Sequence, residues 1–117
     1  MARRDIKGAV DFAYLEGFAA GEDDVIEEVL GIFREQSVLW GAMLKPDHEG
    51  WRDAVHTLKG AALGVGARSL GQTCAACEAI GPSGLTAVRD SLDEALADIA
   101  AYLHERALRS LKTPRDG

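Results

Sequence analysis

Trp51-Arg52-Asp53-Ala54-Val55-His56-Thr57-Leu58-Lys59-Gly60-Ala61-Ala62-Leu63-Gly64-Val65 is the stretch that decides the fold. Its apolar residues Trp51, Val55, Leu58, Ala62 and Val65 recur at spacings of four, three, four and three, so at about 100° per residue they form one continuous stripe along a helix. Asp47 is placed to cap that helix, which is predicted to run to about Val65. Gly50 is its weak point, because glycine inside a helix costs about 1 kcal/mol relative to alanine. His56, Gly60 and Leu63 fall to one side of the stripe, with Lys59 and Arg52 between them and its edge. Residues three and four apart are neighbours on a helix surface. An exposed imidazole therefore has a cation beside it, and next to it a position with no side chain.

The flanking sequence supplies the partners for this stripe. Upstream, a short helix is predicted over residues 11–19, with Phe12, Leu15 and Phe18 on one side and a glycine stop at Ala20-Gly21. A long helix over residues 23–44 follows. Glu22, Asp23 and Asp24 suit the positive end of its dipole, and Val25, Val29, Ile32, Phe33, Trp40 and Met43 form its apolar face before Lys45-Pro46 closes it. Downstream, Gly64 and Gly66 break the third helix and a fourth is predicted over residues 67–80. Gly81-Pro82-Ser83-Gly84 makes a turn, and a fifth helix runs to about Leu111 with Leu85, Val88, Leu92, Leu96, Ile99 and Leu103 as its seam. The polar tail 112–117 is expected to fray. Amphipathic helices joined by short turns pack most simply as an antiparallel bundle. The predicted fold is thus all-α, four helices with an additional short N-terminal one, in a single domain over residues 1–117.

Composition narrows the function. A chain of 117 residues has no room for a catalytic ATP-binding domain beside this bundle, so autokinase activity is not expected. With 13 basic and 19 acidic residues the net charge is -6, which disfavours a nucleic-acid partner. No apolar run approaches the roughly 20 residues of a membrane span, and no apolar segment follows Arg3 and Arg4 as a secretory signal would require. Two cysteines make no disulfide framework, and a cytoplasmic location is expected.

Near pH 7 imidazole is abundant in its neutral form, which makes His56 a competent nucleophile toward an activated phosphoryl group. Lys59 could steady the phosphoryl oxygens as a mobile point charge. Gly60 is unfavourable as mid-helix structure and reads better as clearance for an approaching partner. Other features are less telling. Cys74 and Cys77 form a C-x-x-C in mid-helix, where core packing is expected over redox or zinc chemistry. His48 and His104 are read as solvated bystanders.

The stretch 54–80 resembles the signature of histidine-containing phosphotransfer (HPt) domains of two-component phosphorelays. The likeness is carried by His56, Lys59 and Gly60, the small Ala61 and Ala62, Gly66-Ala67, Leu70, Cys74 and Glu78. Phe33-Arg34-Glu35-Gln36 is similar to that family's second-helix segment, so about residues 10 to 105 are covered. The resemblance implies a four-helix bundle whose histidine takes a phosphoryl group from an aspartyl phosphate on one receiver domain and passes it to another. It makes His56 the phosphoacceptor and Lys59 the phosphate partner, with Gly60, Leu63 and Arg52 on the docking face. Gln36 and Glu78 match positions that in some members hydrogen-bond the histidine. Implied partners are response-regulator receiver domains or a hybrid histidine kinase, the receiver carrying Mg²⁺; no cofactor or metal of the chain's own is expected, and the protein is expected to be monomeric.

Ala61 departs from the serine common in that family but keeps the small size. Kinase dimerisation domains match poorly, because Thr57 rather than glutamate follows His56 and no proline is near. The chemotaxis-kinase phosphoacceptor domain is closer but comes attached to further domains. The competing reading from another class is a non-catalytic helical module that binds receivers without phosphotransfer.

Overall fold

Stop signals in the sequence separate five helices among the residues the structure describes. The computed structural model describes residues 7–19 and 22–112. Within them α1 spans Phe12–Phe18, α2 Asp23–Met43, α3 Trp51–Gly64, α4 Arg68–Ile80 and α5 Leu85–Lys112, with a 3-10 turn at Pro82–Gly84 leading into α5. No strand occurs among the described residues. Gly66 and Gly81 take positive φ values of 84° and 98°, a region open to glycine at little cost, and so end α3 and α4 sharply. The glycine stop expected at Ala20-Gly21 lies outside the described residues.

The start of α3 differs from expectation. Asp47 does not cap it; the N-cap is Gly50, so this glycine lies before the helix and carries no mid-helix penalty. The Gly50 N–H donates to Nδ1 of His48 at 2.9 Å. His48 and His104 are both exposed as expected, and the His48 ring also serves as an acceptor within the turn.

Contacts at the helix ends define an antiparallel ring. Leu63, late in α3, lies over Gly71, early in α4, while His56, early in α3, meets Glu78, late in α4. α2 and α5 are likewise antiparallel: Arg89 at the start of α5 donates to the carbonyl of Leu44 just beyond α2 at 3.2 Å, and Arg106 near the end of α5 meets Glu27 near the start of α2 at 3.4 Å. α3 packs on both α2 and α4, which closes a four-helix bundle with α1 laid against α2.

The core follows the expected stripe on α3, with Trp51, Val55, Leu58, Ala62 and Val65 all buried. On α2 the buried line is Ile26, Leu30, Phe33 and Ser37, displaced by one residue from the predicted face. Val25, Val29, Trp40 and Met43 are only half-buried and Ile32 is 52% exposed. The apolar arc of α2 is wider than one contact face, and its outer edge faces an open groove. Ser37 can be buried because its hydroxyl donates to the Phe33 carbonyl at 2.7 Å. On α5 the seam runs through Leu85, Val88, Leu92, Ala95, Asp98, Ile99 and Tyr102, with Leu96 and Leu103 at its margin. Phe18, predicted to face the core, is 71% exposed.

A buried carboxylate anchors the N-terminal segment. Asp98 Oδ1 accepts from the Lys7 N–H at 2.8 Å and Oδ2 from the Ala9 N–H at 2.7 Å, so both oxygens of a 1%-exposed group are satisfied. The ring of Phe12 stacks on Tyr102 at 4.0 Å, and the Tyr102 hydroxyl donates to Glu16 at 2.7 Å. α1 also touches the far connection, where the Asp11 N–H donates to the Gly66 carbonyl at 2.9 Å. No helix among the described residues is long and apolar enough to cross a membrane.

Candidate functional site

The outward face of the α3–α4 pair carries most of the residues singled out in the sequence. The side chain of His56 is 72% exposed even though Val55 and Leu58 on either side are fully buried, as its offset from the stripe requires. Its Nδ1 lies 2.8 Å from Oε2 of Glu78, and Lys59 Nζ donates to Oε1 of the same carboxylate at 2.5 Å. One carboxylate thus joins the imidazole and the ammonium. The Lys59 hydrogen bond first, and that of His56 second, hold the Glu78 carboxyl below its ordinary pKa of 4.5. Glu78 is therefore ionised at neutral pH and can only accept, so the proton between it and His56 resides on Nδ1. Nε2 is then the ring nitrogen with a free lone pair.

Gly60 is exposed, and a Cβ built on it meets nothing within 4 Å. The space above α3 at that point is open. One turn on, Leu63 is 50% exposed and rests on α4. Arg52, one turn before His56, lies over the Trp51 ring at 4.4 Å from its centroid, which holds its guanidinium on the same exposed side of the helix.

Gln36 is placed differently from Glu78. It lines an apolar groove of about 310 Å³ between α2 and α3, together with Val29, Ile32, Phe33, Trp40, Ala61, Gly64 and Val65, and makes no hydrogen bond to His56. Of the two residues considered for hydrogen bonding to the histidine, geometry brings only Glu78 to it. Sequence spacing could not have paired Glu78 with Lys59, because the two are 19 residues apart on different helices.

The two cysteines are buried and free. Burial above all, helped by Cys77 and Glu78, pushes the Cys74 thiol up to about 12, and burial likewise raises that of Cys77. Reactive thiols need the opposite shift. Cys77 serves packing: the 3-10 turn approaches it so closely that a Cβ on Gly84 would lie 3.0 Å from its Cα. Among the described residues no group of three or more His, Cys, Asp or Glu side chains is arranged to hold a metal ion.

The family model for the Hpt domain matches residues 24–111. The chain belongs to the Hpt domain family. A solved structure, the histidine phosphotransferase ShpA from Caulobacter crescentus, superposes on this Hpt domain with a TM-score of 0.86 at 67% sequence identity, covering 90% of this chain and 100% of that one. A search of curated proteins found no match. The matched segment of the Hpt domain contains His56, Lys59, Gly60 and Glu78, whereas α1 precedes it.

Proposed function

We propose that this Hpt domain is a phosphorelay intermediate that accepts a phosphoryl group on His56 from the aspartyl phosphate of one receiver domain and passes it to the aspartate of another. The observation that carries the reading is the exposed His56 ring, tied through Nδ1 to an ionised Glu78 beside the open space over Gly60. The lone pair of Nε2 attacks phosphorus in line, the bond to the aspartyl oxygen breaks, and the receiver's carboxylate leaves with the bonding pair. The ring, now bonded at Nε2 and still protonated at Nδ1, carries positive charge that the Glu78 carboxylate stabilises. Transfer onward reverses these events.

Lys59 has three donors and spends one on Glu78, so it could reach a phosphoryl oxygen with another while keeping the carboxylate ionised. Docking is assigned to Gly60, Leu63 and Arg52, with a modest, transient interface suited to a carrier that must leave one receiver for the next. The receiver supplies Mg²⁺, and the domain needs no cofactor or nucleotide of its own. Response-regulator receivers, free or within a hybrid histidine kinase, are the partners proposed, met by a monomer in the cytoplasm.

Incubation with a receiver domain carrying labelled aspartyl phosphate tests this reading. The label should move to the Hpt domain as acid-labile, alkali-stable phosphate, and His56→Gln should abolish it. Failure of transfer from a broad panel of receivers would favour a module that only binds.

A further inference from the structure

Leu63 and Gly71 form a size-matched pair on the docking face. Gly71 is buried in the first turn of α4, and a Cβ built on it would lie 2.6 Å from Cδ2 and 3.0 Å from Cγ of Leu63. Such distances are too short for carbon atoms, so the leucine rests directly on the bare backbone of α4. Its other side is open, half of Leu63 being exposed. A methyl group at position 71 would therefore not split the bundle; it would push the half-exposed leucine toward solvent.

We propose that Gly71 is a positioning residue for receiver docking: by leaving room for Leu63 to lie flat on α4, it keeps the surface two turns beyond His56 low enough for a receiver domain to seat against Gly60. The inference rests on the docking reading above. Gly71 acts through Leu63 and touches no partner itself. Alanine is the better helix former wherever space allows, and at Gly71 the space is taken by Leu63. At Gly60 the space is outside, reserved for another molecule; at Gly71 it is inside, filled by a side chain of the same chain.

The test uses Gly71→Ala, Leu63→Ala and the double variant in single-turnover transfer from a chemically phosphorylated receiver that donates to the wild-type protein. Gly71→Ala should keep or raise the melting temperature and shift the Leu63 methyl resonances. It should also increase several-fold the receiver concentration at half-maximal rate, leaving the rate at saturation little changed. In the Leu63→Ala background the same substitution should have no further effect, because the side chain it displaces is gone. An unchanged half-maximal concentration in Gly71→Ala overturns the proposal, as does an equal loss in both backgrounds. Wild-type protein that accepts phosphate from no receiver overturns the docking reading instead, and this inference with it.

Discussion

The Glu78 carboxylate, in the last turn of α4, accepts from Nδ1 of His56 at 2.8 Å across 22 residues of sequence. That contact fixes which ring nitrogen is protonated and which way the ring faces, the two properties a nucleophilic imidazole must have set in advance. It also sets an anion against the far side of a ring that becomes cationic during transfer.

Replacing Glu78 by Gln removes the charge while keeping the size. Partners that orient a metal-bound histidine carry effects of about 10-fold or more, and Glu78 has the same orienting role without the metal. Single-turnover transfer to Glu78→Gln should be slower by about that factor, and ring nitrogen shifts in NMR should show a mixture of tautomers. A wild-type rate with a single Nδ1–H tautomer would mean that Glu78 plays no part.

The same carboxyl predicts a pH dependence. Its pKa in the folded protein lies below 4.5, first because of Lys59 and then His56. A carboxyl with a lowered folded pKa contributes stability above its unfolded pKa, and that contribution fades as pH falls through the folded value. Wild-type protein should therefore lose its thermal-stability advantage over Glu78→Gln as the pH drops below about 4.5, and keep it from pH 5 to 6. An advantage that grows as the pH falls below about 4.5 would contradict the assignment.

At Gly60 the expected outcome separates fold from function. A side chain there meets nothing within the protein. Gly60→Gln should fold normally and gain roughly 0.5–1 kcal/mol from helix propensity. It should lose most transfer from a receiver, and a melting curve beside the transfer assay checks both. Transfer at the wild-type rate would show that the open space is not used.

Asp98 is a matter of stability alone. Asp98→Ala strands the Lys7 and Ala9 N–H groups where a buried carboxylate now accepts from both. Hydrogen bonds to charged groups contribute about 1.5–3 kcal/mol each, so with two of them lost urea unfolding should show a loss of roughly 3–6 kcal/mol. Transfer per folded molecule should not change.

How far the sequence could be read depended on the range of the interactions. The stripe on α3 and the offset of His56 from it are local and periodic, so both were legible. The faces of α2 and α5 were less so: α2 carries apolar residues around a wide arc, and only its neighbours decide that Ile26 and Leu30 go inward while Ile32 stays out. Asp98 offered a signal that was not used, an acidic residue at core spacing between Ala95 and Tyr102. Glu78 was suggested by resemblance, but its bond to Lys59, and the fit of Leu63 over Gly71, depend on helix register and distance between α3 and α4, which no spacing within one helix records.

Gly81 stops α4 three residues after Glu78, with its N–H closing the final turn onto Cys77 at 2.8 Å. Helix ends open more often than helix centres, and such local opening need not disturb a core held elsewhere. The partner of His56 thus stands on the terminal turn of α4, beside the close Cys77–Gly84 contact, while the histidine itself stands on a helix packed between two others. Amide exchange at Gly81 and its neighbours measures the lifetime of that last turn, and with it the lifetime of the His56–Glu78 contact.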